Sequence, residues 1–112
     1  MKRSVKSSQR ELRQLHFIVS ADGTVVTGLD SLSVTSASAS AGINTITLAD
    51  AFASTDYVVQ VTCATADCIV DSVTATSSSV ITVVTVDATD GTSDKDSIIH
   101  VSVTGSDITD RY

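Results

Sequence analysis

The sequence predicts an all-β fold: an antiparallel β-sandwich or jelly-roll-like domain preceded by a basic N-terminal arm. Three observations lead to this prediction. Apolar and polar side chains alternate along most of the 112 residues, which is the period of a strand with one buried face. Asp, Gly and Ser residues, which favour turns, separate the alternating segments. Basic side chains are concentrated at the start of the chain, whereas the rest is acidic.

The N-terminal segment is set apart by its charge. It contains one acidic side chain and five basic ones: Lys2, Arg3, Lys6, Arg10 and Arg13. After these residues, two basic side chains oppose twelve aspartates, and the whole chain has a net charge of −6. We therefore predict an arm over residues 1–14 that docks on a partner through those five side chains, and a single β-domain over residues 15–112. Ser8 and Glu11 have the spacing of a capping box, so the arm is either a short helix or an extended segment.

The alternation predicts about eight strands after the arm. In the first of them, Leu15, Phe17 and Val19 share one face, and a tight turn at Asp22 and Gly23 follows. The predicted strands cover residues 15–20, 24–29, 32–34, 45–48, 57–63, 68–75, 80–86 and 98–103. Short strands separated by polar turns are typical of an antiparallel sandwich or jelly roll.

Residues 33–42 consist of small side chains, with Ser and Ala alternating over most of the segment. Such sequence is typical of a flexible linker, and also of a strand packed closely against another backbone. We interpret residues 33–42 as a hinge within the β-domain and keep the strand as the alternative.

Cys63 and Cys68 flank four residues that are typical of a hairpin loop. If the two side chains face each other across that hairpin, their separation permits a disulfide. The alternative is a pair of buried, reduced thiols, which is the usual state in a protein made in the cytoplasm. Zinc is not predicted, because a structural site needs four ligands and His16 and His100 are scattered in sequence.

Four aspartates lie in one predicted loop: Asp87, Asp90, Asp94 and Asp96. Carboxylate and carbonyl oxygens bind hard cations such as Ca²⁺, so these residues are candidates for a cation site. Their spacing matches no EF-hand or repeat-type calcium loop, and solvated turn aspartates explain them more simply. We expect neither a metal nor a cofactor.

The sequence favours a binding or structural role over catalysis. It contains no nucleophile elbow and no paired Cys and His spacing, so we expect no enzymatic activity. The arm lacks aromatic residues and the acidic body would repel a polyanion, which argues against nucleic acid. No apolar stretch approaches the roughly 20 residues that cross a bilayer. We therefore predict a protein partner with an acidic face.

Self-association is also expected. With two Phe, two Tyr and no Trp, the predicted core is aliphatic and thin. The chain has no proline to protect the edges of its sheets, and pairing with a neighbouring subunit is another way to protect them. Both features favour an oligomer.

Four segments carry a resemblance to a known class of proteins: residues 10–13, 42–52, 57–61 and 94–101. Their order of strands, turns and aromatic positions resembles that of small β-rich virion structural proteins of tailed bacteriophages. The resemblance implies a homotrimer, made in the host cytoplasm and located in the virion. It further implies a capsid decoration (cement) protein that docks on the major capsid protein lattice. The alternative is a receptor-binding or carbohydrate-binding head of a phage tail or fibre.

Overall fold

The computed structural model describes residues 12–106, which form seven strands and one turn of 3-10 helix. The strands are β1 (Leu12–Val19), β2 (Val34–Ser40), β3 (Ile43–Leu48), β4 (Val58–Cys63), β5 (Cys68–Ala75), β6 (Val80–Asp87) and β7 (Ile99–Ser106). All neighbouring strands are antiparallel, in one sheet of order β1-β7-β4 and another of order β2-β3-β6-β5. The two sheets pack against each other, and the predicted all-β sandwich is confirmed. The described residues include no helix capable of spanning a membrane.

The core lies between the two sheets and follows the predicted alternation. In β1, Leu15, Phe17 and Val19 are buried, while His16 between them is exposed. The buried cluster consists of Leu15, Phe17, Val19, Ile46, Leu48, Phe52, Tyr57, Ile81, Val83, Ile99, Val101 and Val103. Full burial of one such side chain contributes about 1.5–3 kcal/mol, and a one-residue slip would expose a whole row. The alternation therefore fixes the register of the strands.

The sandwich has two different ends, which we name for the segments they carry. At the terminal end β1 begins and β7 ends, with Leu12 paired to Ser106. The opposite end, where β1 ends and β7 begins, is the loop end. The terminal end also carries the connections 49–57 and 76–79. The loop end carries the turns 20–24 and 41–42 and the connections 64–67 and 88–98.

Residues 20–33 form a strap along the free edge of β1. The backbone N–H of Val26 donates to the Ile18 carbonyl at 2.8 Å, and that of Asp30 donates to the His16 carbonyl at 3.0 Å. The Asp30 carboxylate in turn accepts the backbone N–H of His16 at 2.8 Å. The strap therefore covers backbone groups that an unprotected edge strand would expose.

The strap replaces two of the predicted strands. The strand expected at 24–29 is reduced to an isolated bridge between Val25 and Val19. The strand expected at 32–34 is wrong because Ser31–Ser33 form the 3-10 turn that leads into β2. Gly28 and Leu29 have φ angles of 129° and 48°, so the backbone is not extended there.

Residues 34–40, within the expected hinge, form β2. This strand pairs with β3 from Val34 opposite Leu48 to Ser40 opposite Ile43. A methyl group added at Gly23 would lie 2.5 Å from the backbone nitrogen of Ala39, so the strap also approaches β2 closely. The segment is thus a paired strand, the alternative kept open above, and not a hinge.

The connection 64–67 is not the predicted hairpin. β4 belongs to the three-stranded sheet and β5 to the four-stranded sheet, so the chain crosses between the sheets at this point. The Lys95 ammonium donates to the carbonyls of Ala66 and Asp67 at 3.0 and 3.4 Å. A hairpin and a corner of this kind have the same alternation and loop length, which is why the sequence did not distinguish them.

The predicted arm overlaps the first strand. Residues 12–14 of the expected arm 1–14 are the first residues of β1 and are paired with β7. Residues 1–11, with the predicted capping box, lie outside the described residues, as do residues 107–112 of the predicted domain 15–112.

Candidate functional site

Arg13 is the one predicted docking residue that lies within the described part of the chain. Its guanidinium donates to the carbonyls of Asp50 and Ala51 at 3.0 and 3.1 Å. The guanidinium carbon also lies 4.1 Å from the centroid of the Phe52 ring, a cation–π geometry. Arg13 therefore fixes the start of β1 to the connection 49–57. The other four predicted docking residues, Lys2, Arg3, Lys6 and Arg10, lie outside the described residues.

Aromatic packing closes the terminal end beneath Arg13. The rings of Phe52 and Tyr57 stack with centroids 4.8 Å apart and planes at 22°. The Tyr57 hydroxyl donates to the carbonyls of Ser77 and Val80, at 2.6 and 3.0 Å, which ties two connections together. Burial raises the pKa of Tyr57, so the hydroxyl keeps its proton for these bonds. These contacts link the start of β1 to the connections 49–57 and 76–79.

The loop end carries most of the negative charge of the described residues. Six of their ten aspartates belong to its turns and connections or to the adjoining strand end: Asp22, Asp67, Asp87, Asp90, Asp94 and Asp96. Lys95 is the single lysine or arginine in the same set of segments. The charge of the described domain is thus unevenly distributed, with the most acidic end opposite the end at which β1 begins and β7 ends.

Three carboxylates of the predicted cation loop accept backbone N–H groups, two of them within the loop and one in the turn 41–42. Asp87 accepts the backbone N–H of Thr89 at 2.8 Å, and Asp96 accepts that of Gly42 at 2.8 Å. Asp90 accepts the backbone N–H groups of Thr92 and Ser93, each at 2.9 Å. Among residues 12–106, no group of three or more His, Cys, Asp and Glu is placed to hold a metal ion. The four candidates, Asp87, Asp90, Asp94 and Asp96, are therefore not brought together as such a group in the described residues.

These hydrogen bonds lower the pKa of two carboxyl groups of the loop. The Ser93 hydroxyl and the backbone N–H groups of Ser93 and Thr92 lower the pKa of Asp90 to about 2. The backbone and hydroxyl of Thr89 likewise lower the pKa of Asp87. Both carboxylates are therefore ionised wherever the protein is folded near neutral pH.

Polar groups are also buried inside the loop end. The buried polar residues are Asn44, Thr85 and Ser97. The Thr85 hydroxyl donates to the Lys95 carbonyl at 2.7 Å, and the Ser97 hydroxyl lies 2.7 Å from the Cys68 sulfur. The Asn44 side chain, by contrast, is fully buried with no hydrogen-bond partner for its oxygen or its nitrogen.

Cys63 and Cys68, the predicted disulfide candidates, meet at this end as free, half-buried thiols. The two thiols interact although they belong to different sheets. Burial, with a further contribution from Cys68, raises the pKa of Cys63 to about 12. Cys63 is therefore a protonated thiol at neutral pH.

A shallow pocket of about 320 Å³ lies on the outer face of the three-stranded sheet. Its lining includes His16, Gln60, Thr62, His100 and Ser102, with Leu29 of the strap at one side. None of the nine lining side chains is a carboxylate, a lysine or an arginine. Sequence reasoning missed the pocket, because the pairing of β1, β7 and β4 decides which of these residues become neighbours.

Comparison of the chain with models of protein families, with curated proteins and with solved structures found no match. The resemblance to phage virion proteins therefore stays a hypothesis.

Proposed function

We propose that the chain is a virion structural protein, a capsid decoration (cement) protein that docks on the assembled shell and stabilises it. The proposed partners are the major capsid protein lattice and two further copies of the chain. The proposal assigns no catalysis and neither a nucleic-acid nor a membrane partner. Its support is the resemblance described above together with the distribution of charge in the molecule.

The observation that carries the proposal is that β1 begins at the end of the domain opposite the acidic loop end. Lys2, Arg3, Lys6 and Arg10 precede β1, which begins at the terminal end. Six aspartates lie at the other end of the domain. In the field of an acidic surface, such a charge distribution turns the terminal end toward the surface and the loop end away from it. This orientation suits a protein that adds to the outside of a preformed shell.

The terminal end offers more than charge for docking. Leu12 and Val58 are exposed apolar side chains at this end, on the outer face of the three-stranded sheet. Buried apolar contacts govern how long a complex lasts, whereas charge governs how fast it forms. Arg13 is engaged with Asp50, Ala51 and Phe52, so we assign it the role of anchoring the arm. We assign the docking role to the other four basic residues.

Particles of the virus that encodes the chain provide the test. Shells stripped of the protein are expected to rebind the full chain at roughly hundreds of copies per particle. Reversing Lys2, Arg3, Lys6 and Arg10 to Glu is expected to weaken binding at low salt by at least about tenfold, because complementary charge is lost. The matched control is Arg111→Glu, which reverses a charge near the other terminus. A charge-reversed chain that rebinds like the wild type would refute docking through the arm.

Oligomeric mass tests the proposed homotrimer separately. Light scattering of the isolated chain at micromolar concentration is expected to give three times the mass of 11.6 kDa. A folded monomer at that concentration would contradict the trimer. The binding of that monomer to stripped shells would then test docking separately.

A ligand-binding head of a tail or fibre is the second candidate function. The pocket lined by His16, Gln60 and His100 favours it, since neutral hydrogen-bonding groups suit an uncharged polar ligand such as a sugar. The absence of Trp from the chain counts against it, because sugars commonly stack on aromatic faces. A handful of copies per particle, with sugar-dependent shifts of the His16 and His100 resonances, would favour this alternative.

A further inference from the structure

The two thiols at the loop end lie in different surroundings. Cys63 is the last residue of β4 in one sheet, and Cys68 is the first residue of β5 in the other. The corner 64–67 brings the two thiols close enough to interact. Because the pair joins the sheets and both members are free, a bond between them would cross-link the two layers of the sandwich.

Cys68 has a hydroxyl partner that suits a thiolate. The Ser97 oxygen lies 2.7 Å from the Cys68 sulfur and 3.1 Å from the Lys95 carbonyl oxygen. A serine hydroxyl has one proton and can donate it to either acceptor. When the Cys68 sulfur attacks a disulfide, the hydroxyl can turn from the carbonyl to the sulfur and stabilise the charge at the reacting atom. Ser97 is fully buried, so water does not compete for this bond.

Cys63 lies in apolar surroundings instead. It packs against the hydrophobic core cluster at the end of β4. Burial is the main reason that its pKa is raised to about 12. A thiol in this state is a slow nucleophile toward an external reagent, but it can still react with an adjacent sulfur once the two are held in contact.

We propose that Cys68 is the reactive thiol and Cys63 the resolving thiol of a dithiol that closes to an intersheet disulfide. The oxidant is a low-molecular-weight disulfide such as oxidised glutathione. The Cys68 thiolate attacks one sulfur of the oxidant, and one small thiolate leaves. Cys63 then gives its proton to solvent and attacks the Cys68 sulfur, and the second small thiol leaves. The two cysteines lose two electrons and the small disulfide gains them.

The disulfide would stabilise the folded protein at the loop end. It would bridge a short segment of chain, so its effect on the unfolded state is modest. For a domain of this size we expect the melting temperature to rise by about 10 °C on oxidation. The inference does not depend on the proposed function, because it concerns the folded chain alone.

Exchange with oxidised glutathione tests the proposal on the full chain. After reaction at neutral pH and trapping of free thiols, intact mass is expected to show a protein disulfide in the wild type. Cys63→Ser is expected to accumulate a glutathione adduct at Cys68. Cys68→Ser is expected to form its adduct at least about tenfold more slowly, because the remaining thiol is protonated and buried.

Ser97→Ala in the Cys63→Ser background measures the contribution of the hydroxyl. We expect adduct formation to slow by about threefold, the effect of losing one hydrogen bond to the thiolate. Ser102→Ala, which removes a hydroxyl on the outer face of the sheet, is the matched control and is expected to react unchanged. Thermal melts verify that each variant is folded, and Cys→Ala versions replace any Ser variant that is not.

Two outcomes would overturn the proposal. One is an adduct that forms on Cys68→Ser as fast as on Cys63→Ser, which would remove the distinction between the thiols. The other is a folded wild type that keeps both thiols under conditions in which the urea-unfolded chain forms a disulfide.

Discussion

The terminal end and the loop end close the same sandwich by different means. At the terminal end, Arg13, Phe52 and Tyr57 stack over one another and cover the edge of the core. At the loop end, aspartates bind loop backbone, and polar side chains such as Thr85 and Ser97 lie inside. Aromatic packing gives its stability through buried area, whereas hydrogen bonds give a small net gain and a large loss when one partner is removed. The two ends should therefore respond differently to substitution.

Phe52→Ala is expected to have the largest effect. It removes the ring that stacks on Tyr57 and that supports the Arg13 guanidinium. Loss of a buried Phe costs about 3–5 kcal/mol, which for a domain of this size lowers the melting temperature by about 15–25 °C. Thermal denaturation followed by circular dichroism measures it. Phe52→Leu, which keeps much of the volume, should lose less, and an unchanged melting temperature for Phe52→Ala would contradict the role of this cluster.

Gly42→Ala tests the close approach of backbones at the loop end. A methyl group there would lie 2.4 Å from the Thr85 carbonyl oxygen, and the φ angle is 75°. We expect a loss of about 2–3 kcal/mol from overpacking and backbone strain together. Gly91→Ala is the matched control, because its φ of 72° is similar and its surroundings are open. It should cost about 1 kcal/mol by strain alone. Equal losses for the two variants would show that the contact with Thr85 is unimportant.

Asn44→Leu is expected to stabilise the protein. Its buried amide has no hydrogen-bond partner, and an unsatisfied polar group of this kind costs about 1–3 kcal/mol. Replacing it by an apolar side chain of similar size should therefore raise the free energy of unfolding by about 1–2 kcal/mol. Thr85→Val is the contrasting variant, because it removes a hydroxyl that donates to Lys95 and Gly42. That variant should be destabilised, and the same sign for both would contradict the assignment.

Asp90→Ala is expected to have the smallest effect, confined to the loop 88–98. The folded-state pKa of Asp90 is lowered to about 2, so its contribution to stability is present above the unfolded value of 3.8. That contribution is lost as the pH falls through about 2. The amide resonances of Thr92 and Ser93 should therefore titrate with a midpoint near 2 in the wild type and not in the variant. Asp90→Asn, which keeps an acceptor oxygen, should retain the loop conformation at neutral pH.

Much of the fold could be predicted because alternation and burial coincide. Leu15, Phe17 and Val19 face the core as their spacing indicated, and β5, β6 and β7 lie where the alternating runs do. The strap was missed because Thr24 to Leu29 alternates like a strand, while the φ angles at Gly28 and Leu29 prevent an extended backbone. The alternation of side chains does not reveal these φ angles, because they depend on how the strap crosses the edge of β1.

The candidate sites were harder to predict, because they depend on which strands become neighbours. The spacing of Cys63 and Cys68 predicted that the two thiols are neighbours, and they interact across the two sheets instead of within a hairpin. No sequence signal connects Ser97 to Cys68, which are far apart in the chain and meet only once β5 and the segment before β7 are packed. The charge of Arg13 led to its prediction as a docking residue. Its contact with the Phe52 ring could not be predicted, because it follows from tertiary packing.

The pairing of β1 with β7 has a consequence for how the chain is made. Leu12–Val19 is synthesised long before its partner Ile99–Ser106, with five other described strands between them. The backbone groups of β1 that bond to β7 therefore lack this partner until β7 has been synthesised. Closure of the three-stranded sheet is a late event, and the most sequence-distant pairing makes it slow compared with local structure. A nascent chain interrupted before Ile99 would lack the central strand of that sheet, leaving β1 and β4 without the neighbour that joins them.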